Sequence, residues 1–131
     1  MRTEVTIEEH LRQCERLAAD WFAAWKAADA AKMAALVTVP FYCDNGVLTS
    51  KDAARKRFAG NNPARDIQLS GILSKTVAEA KTEGLGPGDR VMSNMRVTDD
   101  DFVVILKIGD EGIILFFRAA ASGVEFFGMW D

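Results

Sequence analysis

Three runs rich in β-branched and aromatic residues, 102–108, 113–120 and 124–130, stand last in the sequence, separated by Gly109-Asp110-Glu111-Gly112 and Ala121-Ser122-Gly123. Such runs form strands, and connections this short join antiparallel neighbours. Alternation sorts their side chains. Phe102, Val104, Leu106 and Ile108 share one face, opposite Val103, Ile105 and Lys107. Ile113, Leu115 and Phe117 oppose Ile114, Phe116 and Arg118 in the next strand. In the last, Val124, Phe126 and Trp130 are expected to oppose Phe127 and Met129. Only Lys107, Arg118 and Glu125 interrupt the apolar character of both faces. A sheet with one wet face alternates apolar with polar residues; this meander needs cover on both sides.

The earlier sequence supplies helices for one of those faces. Thr6-Ile7-Glu8-Glu9 has the form of a capping box. Ile7, Leu11, Cys14, Ala18, Trp21, Trp25 and Ala28 then recur at spacings of four and three, thickened by Leu17 and Phe22. This predicts a long amphipathic helix over 7–28. Asp29 is placed to cap a short second helix running through Met33, Leu36 and Val37, stopped by Pro40. Asn45-Gly46 between 41–44 and 47–49 signals a hairpin. Ser50 caps a third helix over 51–59, closed by Asn61-Asn62-Pro63. Residues 64–98 read as helix or strand; a strand near 73–82 is expected, to partner the meander, with a helical turn within 89–96 on Val91, Met92 and Met95.

Composition narrows the function classes. A chain of 131 residues is the size of a single domain, taken here as 1–131. Hydrophobic residues make up 49% and charged residues 27%, which suits a globular protein with its own core. The net charge of −3, with no basic patch beyond Arg55-Lys56-Arg57, argues against nucleic acid as a partner. No apolar run is long enough to span a membrane. The first residues carry acids and no apolar core of a signal peptide, so a cytoplasmic protein is expected, with Cys14 and Cys43 as free, mostly buried thiols. One histidine and two cysteines make no zinc-ligand set; neither a metal nor a cofactor is expected.

Helices first and strands last is an α+β order. In that order stand Trp21-Phe22-Ala23-Ala24-Trp25-Lys26-Ala27-Ala28-Asp29, then Met33-Ala34-Ala35-Leu36-Val37, the hairpin, the helix opening Ser50-Lys51-Asp52-Ala53, and the strand ending Phe126-Phe127-Gly128-Met129-Trp130. The arrangement resembles the nuclear transport factor 2-like (NTF2-like) superfamily, which includes SnoaL-type polyketide cyclases and ketosteroid isomerases. Only 60–98 match poorly. The resemblance implies a cone: N-terminal helices packed on a curved mixed or antiparallel sheet.

It also implies candidate chemistry. In cyclase-like and isomerase-like relatives a carboxylate on the first strand faces the cone as general base, and Asp44 falls at that position. Burial among Trp21, Trp25 and Phe41 would raise its pKa towards that task. Aspartate directly before Asn-Gly is equally a turn residue. Tyr42 is the only phenol and, two residues from Asp44, shares its face, so the pair is a candidate acid–base couple. The isomerase pattern breaks elsewhere. Trp21 stands where a tyrosine hydroxyl is required, and Leu115 or Phe116 where a second oxyanion donor is required. Trp21, Phe22, Trp25, Phe41 and Met129 either line an apolar ligand cavity or form plain core.

Three functions follow: a homodimeric binding protein for a small apolar molecule, an acid–base enzyme of cyclase, isomerase or dehydratase type using Asp44, or a protein-interaction module. The absence of a second titratable group favours the first. The homodimer is expected through the sheet, because three helices cover one face and the other would remain a large apolar patch.

Overall fold

The structure, a computed structural model, describes residues 6–43, 46–60, 68–121 and 123–130. It is an α+β fold. Helix α1 (Ile7–Lys26) starts on Thr6, whose hydroxyl accepts from the Glu9 N–H. It ends where Ala28 turns left-handed at φ 56, earlier than the apolar stripe suggests. Asp29 accepts from Lys32 N–H and caps α2 (Ala30–Leu36). Strands β1 (Phe41–Cys43) and β2 (Gly46–Leu48) form the expected antiparallel hairpin, but Cys43 pairs with Gly46, so the glycine belongs to β2. Ser50 caps α3 (Lys51–Ala59). The Lys51 ammonium donates to the carbonyls of Ala34, Ala35 and Val37, closing the otherwise open C-terminal end of α2.

The stretch after α3 corrects the expected strand over 73–82. Strand β3 (Leu69–Thr76) runs earlier, and the chain turns helical at Val77. Thr76 and Glu79 make a reciprocal capping box that starts α4 (Val77–Thr82). The turn expected on Val91, Met92 and Met95 is α5 (Asp89–Asn94), with Met95 at its C-cap. The meander follows as β4 (Phe102–Ile108), β5 (Glu111–Ala120) and β6 (Gly123–Trp130). Gly109, at φ 60, lies in the tight turn between β4 and β5.

These strands form a six-stranded open sheet in the order β2-β1-β6-β5-β4-β3, antiparallel except for the β1–β6 seam. In that seam Tyr42 lies opposite Gly128. A Cβ at 128 would sit 3.2 Å from the Tyr42 carbonyl oxygen, so glycine admits the close approach.

Two cores result. On the inner face, α1, α2 and α3 pack Cys14, Ala18, Trp21, Met33 and Phe58 against Phe102, Val104, Leu106, Leu115, Phe117 and Phe126. Ser74 of β3 donates to Glu15 of α1, pinning the helix across the sheet. On the outer face, Val77, Ala80, Met92 and Met95 pack on Val103, Phe116 and Phe127. The premise that only three helices are available for cover is therefore corrected: α4 and α5 cover part of the second face.

One strand assignment also changes. A bulge sets Phe117 opposite Phe126 but Phe116 opposite Gly128, leaving Phe127 as the extra residue of β6. Past it the alternation shifts. Met129 joins the inner core with Phe126, while Trp130 packs with the outer one.

At the turn before β4, desolvation holds the Asp101 carboxyl above the usual aspartate range, against the lowering effects of its hydrogen bond from the Thr98 N–H and of Arg118. A raised folded-state pKa means that the folded chain holds this proton more tightly than the unfolded one. The associated stability is full below the ordinary aspartate pKa and is lost as pH rises through the raised one. Asp101→Asn should therefore raise Tm at pH 7, with a smaller gain at pH 3. An unchanged Tm at both would show that burial does not penalise this carboxylate.

Candidate functional site

Helix α1 projects Trp21, Phe22 and Trp25 toward the sheet because positions i and i+4 share a face and i+1 flanks it. Trp21 is the centre of an aromatic cluster. Its ring lies 6.0 Å from Trp25 and meets Phe58 and Phe126 edge-on at 5.8 and 5.6 Å. Phe41, from β1, meets the same two phenylalanines edge-on. Phe126 stacks on Phe117 at 4.9 Å. Phe22 joins through Trp25, and Met129 belongs to the same core. The five residues read as cavity or core thus come together, all buried except Trp25, which stays partly exposed.

The cluster contains one unmet polar demand. Trp21 is 2% exposed, and its Nε1–H has no acceptor among the described residues. An unpaired buried donor costs about 1–3 kcal/mol.

Tyr42 is not part of this cluster. Phe41 and Cys43 point to the inner core, and Tyr42, between them, packs with the outer one. The expected couple of Tyr42 with Asp44 cannot be followed further, since Asp44 lies outside the described residues. Among the described residues no polar or charged residue is buried as a whole, and the buried titratable groups of the inner core are the thiols of Cys14 and Cys43.

Both cysteines are buried. Burial pushes the Cys14 thiol up to about 12, which leaves it without thiolate character at neutral pH. His10 lies against Phe102 at 5.2 Å rather than free in solvent. Among the described residues no group of three histidine, cysteine or acidic side chains is placed to hold a metal ion.

A second feature lies on the outer side, where Tyr42 and Val47 of the hairpin face Val91, Asn94 and Met95 across a cavity of about 350 Å³. The helical turn on Val91 and Met95 was legible from spacing; its position opposite residues almost fifty places earlier was not.

Several solved structures share this architecture. An NTF2-like protein of unknown function from Pseudomonas putida KT2440 superposes with a TM-score of 0.56 at 9% identity, over 96% of this chain and 87% of that one. A candidate dehydratase of the NTF2-like family from Streptomyces avermitilis gives 0.54 at 11% identity, over 95% and 96%. The chain has the NTF2-like fold. A candidate calcium/calmodulin-dependent protein kinase II association domain from Xanthomonas campestris is also similar to this NTF2-like chain, at 0.52 and 12% identity over 91% and 84%. No family model matches the sequence, and no curated protein matches it either. At such identities the likeness is one of fold. The activities of those proteins do not transfer with it. No helix among the described residues is long and apolar enough to cross a membrane.

Proposed function

We propose that this NTF2-like chain binds a small, largely apolar molecule on the inner face of its sheet, and that it does so as a cytoplasmic homodimer. The observation that carries the reading is the Trp21 indole N–H, buried in an aromatic cluster without an acceptor among the described residues. A ligand with an apolar body and one carbonyl or ether oxygen satisfies that donor and loses its own apolar surface to Phe22, Trp25, Phe41 and Met129. Trp25, at the partly exposed edge of the cluster, lies on the entry side. Binding ranks ahead of acid–base catalysis because no polar or charged side chain is fully buried among the described residues, and the Cys14 thiol of the core is held protonated.

The homodimer rests on the part of the outer face that α4 and α5 leave open. Leu73, Ile105, Ile114 and Trp130 are direct cross-strand neighbours, forming one apolar row over four strands. Leu73, Ile105 and Trp130 are only partly buried. Pairing two such rows about a twofold axis removes them from water.

The test uses Nile red, a neutral apolar dye with a carbonyl acceptor. It should bind the wild-type chain, and Trp21→Phe should weaken that binding about tenfold, the upper range for one hydrogen bond. Native mass spectrometry should show about twice the 14.4 kDa chain mass. Absence of dye binding, or equal binding by a folded Trp21→Phe variant, overturns the ligand reading; a monomer at micromolar concentration overturns the dimer. An Asp44→Asn variant that loses turnover of any substrate found would move the assignment to catalysis.

A further inference from the structure

We infer that the cavity between the β1–β2 hairpin and α5 is a second binding site, separate from the inner aromatic cluster, and that it takes an aromatic molecule bearing a hydroxyl, carbonyl or carboxamide group. Its volume of about 350 Å³ lies at the lower end of the range for small-molecule sites. That favours a ligand of one or two rings.

The walls come from the hairpin, with Cys43 and Gly46 beside Tyr42 and Val47, and from α5 with its C-cap. Tyr42 and Val47 rise from the hairpin, while Val91, Asn94 and Met95 descend from α5 and its C-cap. Val47 is 47% exposed, one of the few large hydrophobic residues so exposed among the described residues. Met95, by contrast, is 3% exposed and forms an apolar floor with a polarisable thioether. A sulfur in that position favours aromatic rings.

The polar groups set the ligand's chemistry. The described side chains that line it carry no formal charge, and its polar contacts come from Tyr42 and Asn94. The Tyr42 phenol and the Asn94 carboxamide make no hydrogen bond within the described residues. Together they present donors and acceptors on opposite walls of an apolar slot. A neutral group that both donates and accepts, such as a phenol or a primary amide, can use both walls while its ring lies against Val47, Val91 and Met95.

The site does not depend on the inner-face reading. Tyr42 packs with the outer core and Trp21 with the inner one, so the sheet separates them. The test is a titration of the full chain with benzamide and, separately, 2-naphthol at millimolar concentrations, followed by amide and methyl NMR shifts. Shifts should concentrate on Tyr42, Val47, Val91, Asn94 and Met95. Asn94→Leu, on an exposed helical position, should keep Tm and weaken binding at least fivefold; Tyr42→Phe should weaken it less, and Trp21→Phe should leave it unchanged. No saturable shift with either probe, shifts centred on Trp21 and Phe126, or full affinity in a folded Asn94→Leu variant overturns the inference. Failure of Nile red to sense Trp21→Phe would leave this site standing.

Discussion

Phe126→Ala is expected to destabilise the chain by about 3–5 kcal/mol, the range for deleting a fully buried phenylalanine. Phe126 has no exposed surface and contacts three rings, Trp21 and Phe41 edge-on and Phe117 in a stack. Its loss removes the transfer free energy of the ring and leaves a void bounded by aromatic faces that cannot close in without breaking those contacts. Urea unfolding monitored by tryptophan fluorescence measures the loss, and Trp21 in the same cluster makes the probe local. A loss under about 1 kcal/mol would show that the inner cluster is not packed around this residue.

The neighbouring substitution, Phe127→Ala, is expected to cost a similar 3–5 kcal/mol, although its side chain points the opposite way. Phe127 is also fully buried, under Val77, Ala80, Met92 and Met95, and the Arg118 guanidinium lies 3.8 Å from its ring centroid. The pair of variants discriminates between two pictures of the sheet. If α4 and α5 did not cover the outer face, Phe127 would be half in water, and its removal would cost a small fraction of what Phe126→Ala costs. Equal losses establish two cores back to back; a near-neutral Phe127→Ala would return the whole outer face to the role of an open apolar patch.

Much of this architecture was legible in residue patterns, and the misreadings have identifiable causes. Thr6 with Glu9, Asp29, and Ser50 all cap the helices they announce, because a cap is a local event over three residues. Thr76 with Glu79 is the same signal. It lost to the expectation of a long strand, a tertiary demand that β3 meets in residues further upstream. With the strand extended over 73–82, the helix α4 was missing from the outer face, and the apolar meander read as needing a second copy for its cover. The β6 bulge was illegible in another way. Alternation assumes that every residue advances the pleat, so one extra residue at Phe127 reassigns Met129 and Trp130 together.

The candidate site divides along the same line. Trp21, Phe22 and Trp25 come together through helical spacing, which is local, and Phe41 and Met129 join them as the inward residues of β1 and β6. The sidedness of Tyr42 was not readable, because alternation pairs it with Asp44 without saying which face the pair takes. The outer cavity depends on bringing residues 42–47 beside 91–95, and no short-range pattern encodes that meeting.

The β1–β6 seam gives the molecule an uneven mechanical character. β4, β5 and β6 are stitched to one another along their full lengths, with β3 alongside β4. The hairpin, in contrast, is tied to the sheet at the Tyr42–Gly128 pair. Opening free energies follow the extent of cooperative pairing, so amide exchange in the hairpin is expected to be faster than in the meander. The hairpin carries Phe41 into the inner cluster and Tyr42 into the outer wall, so its opening would loosen both faces of the sheet together.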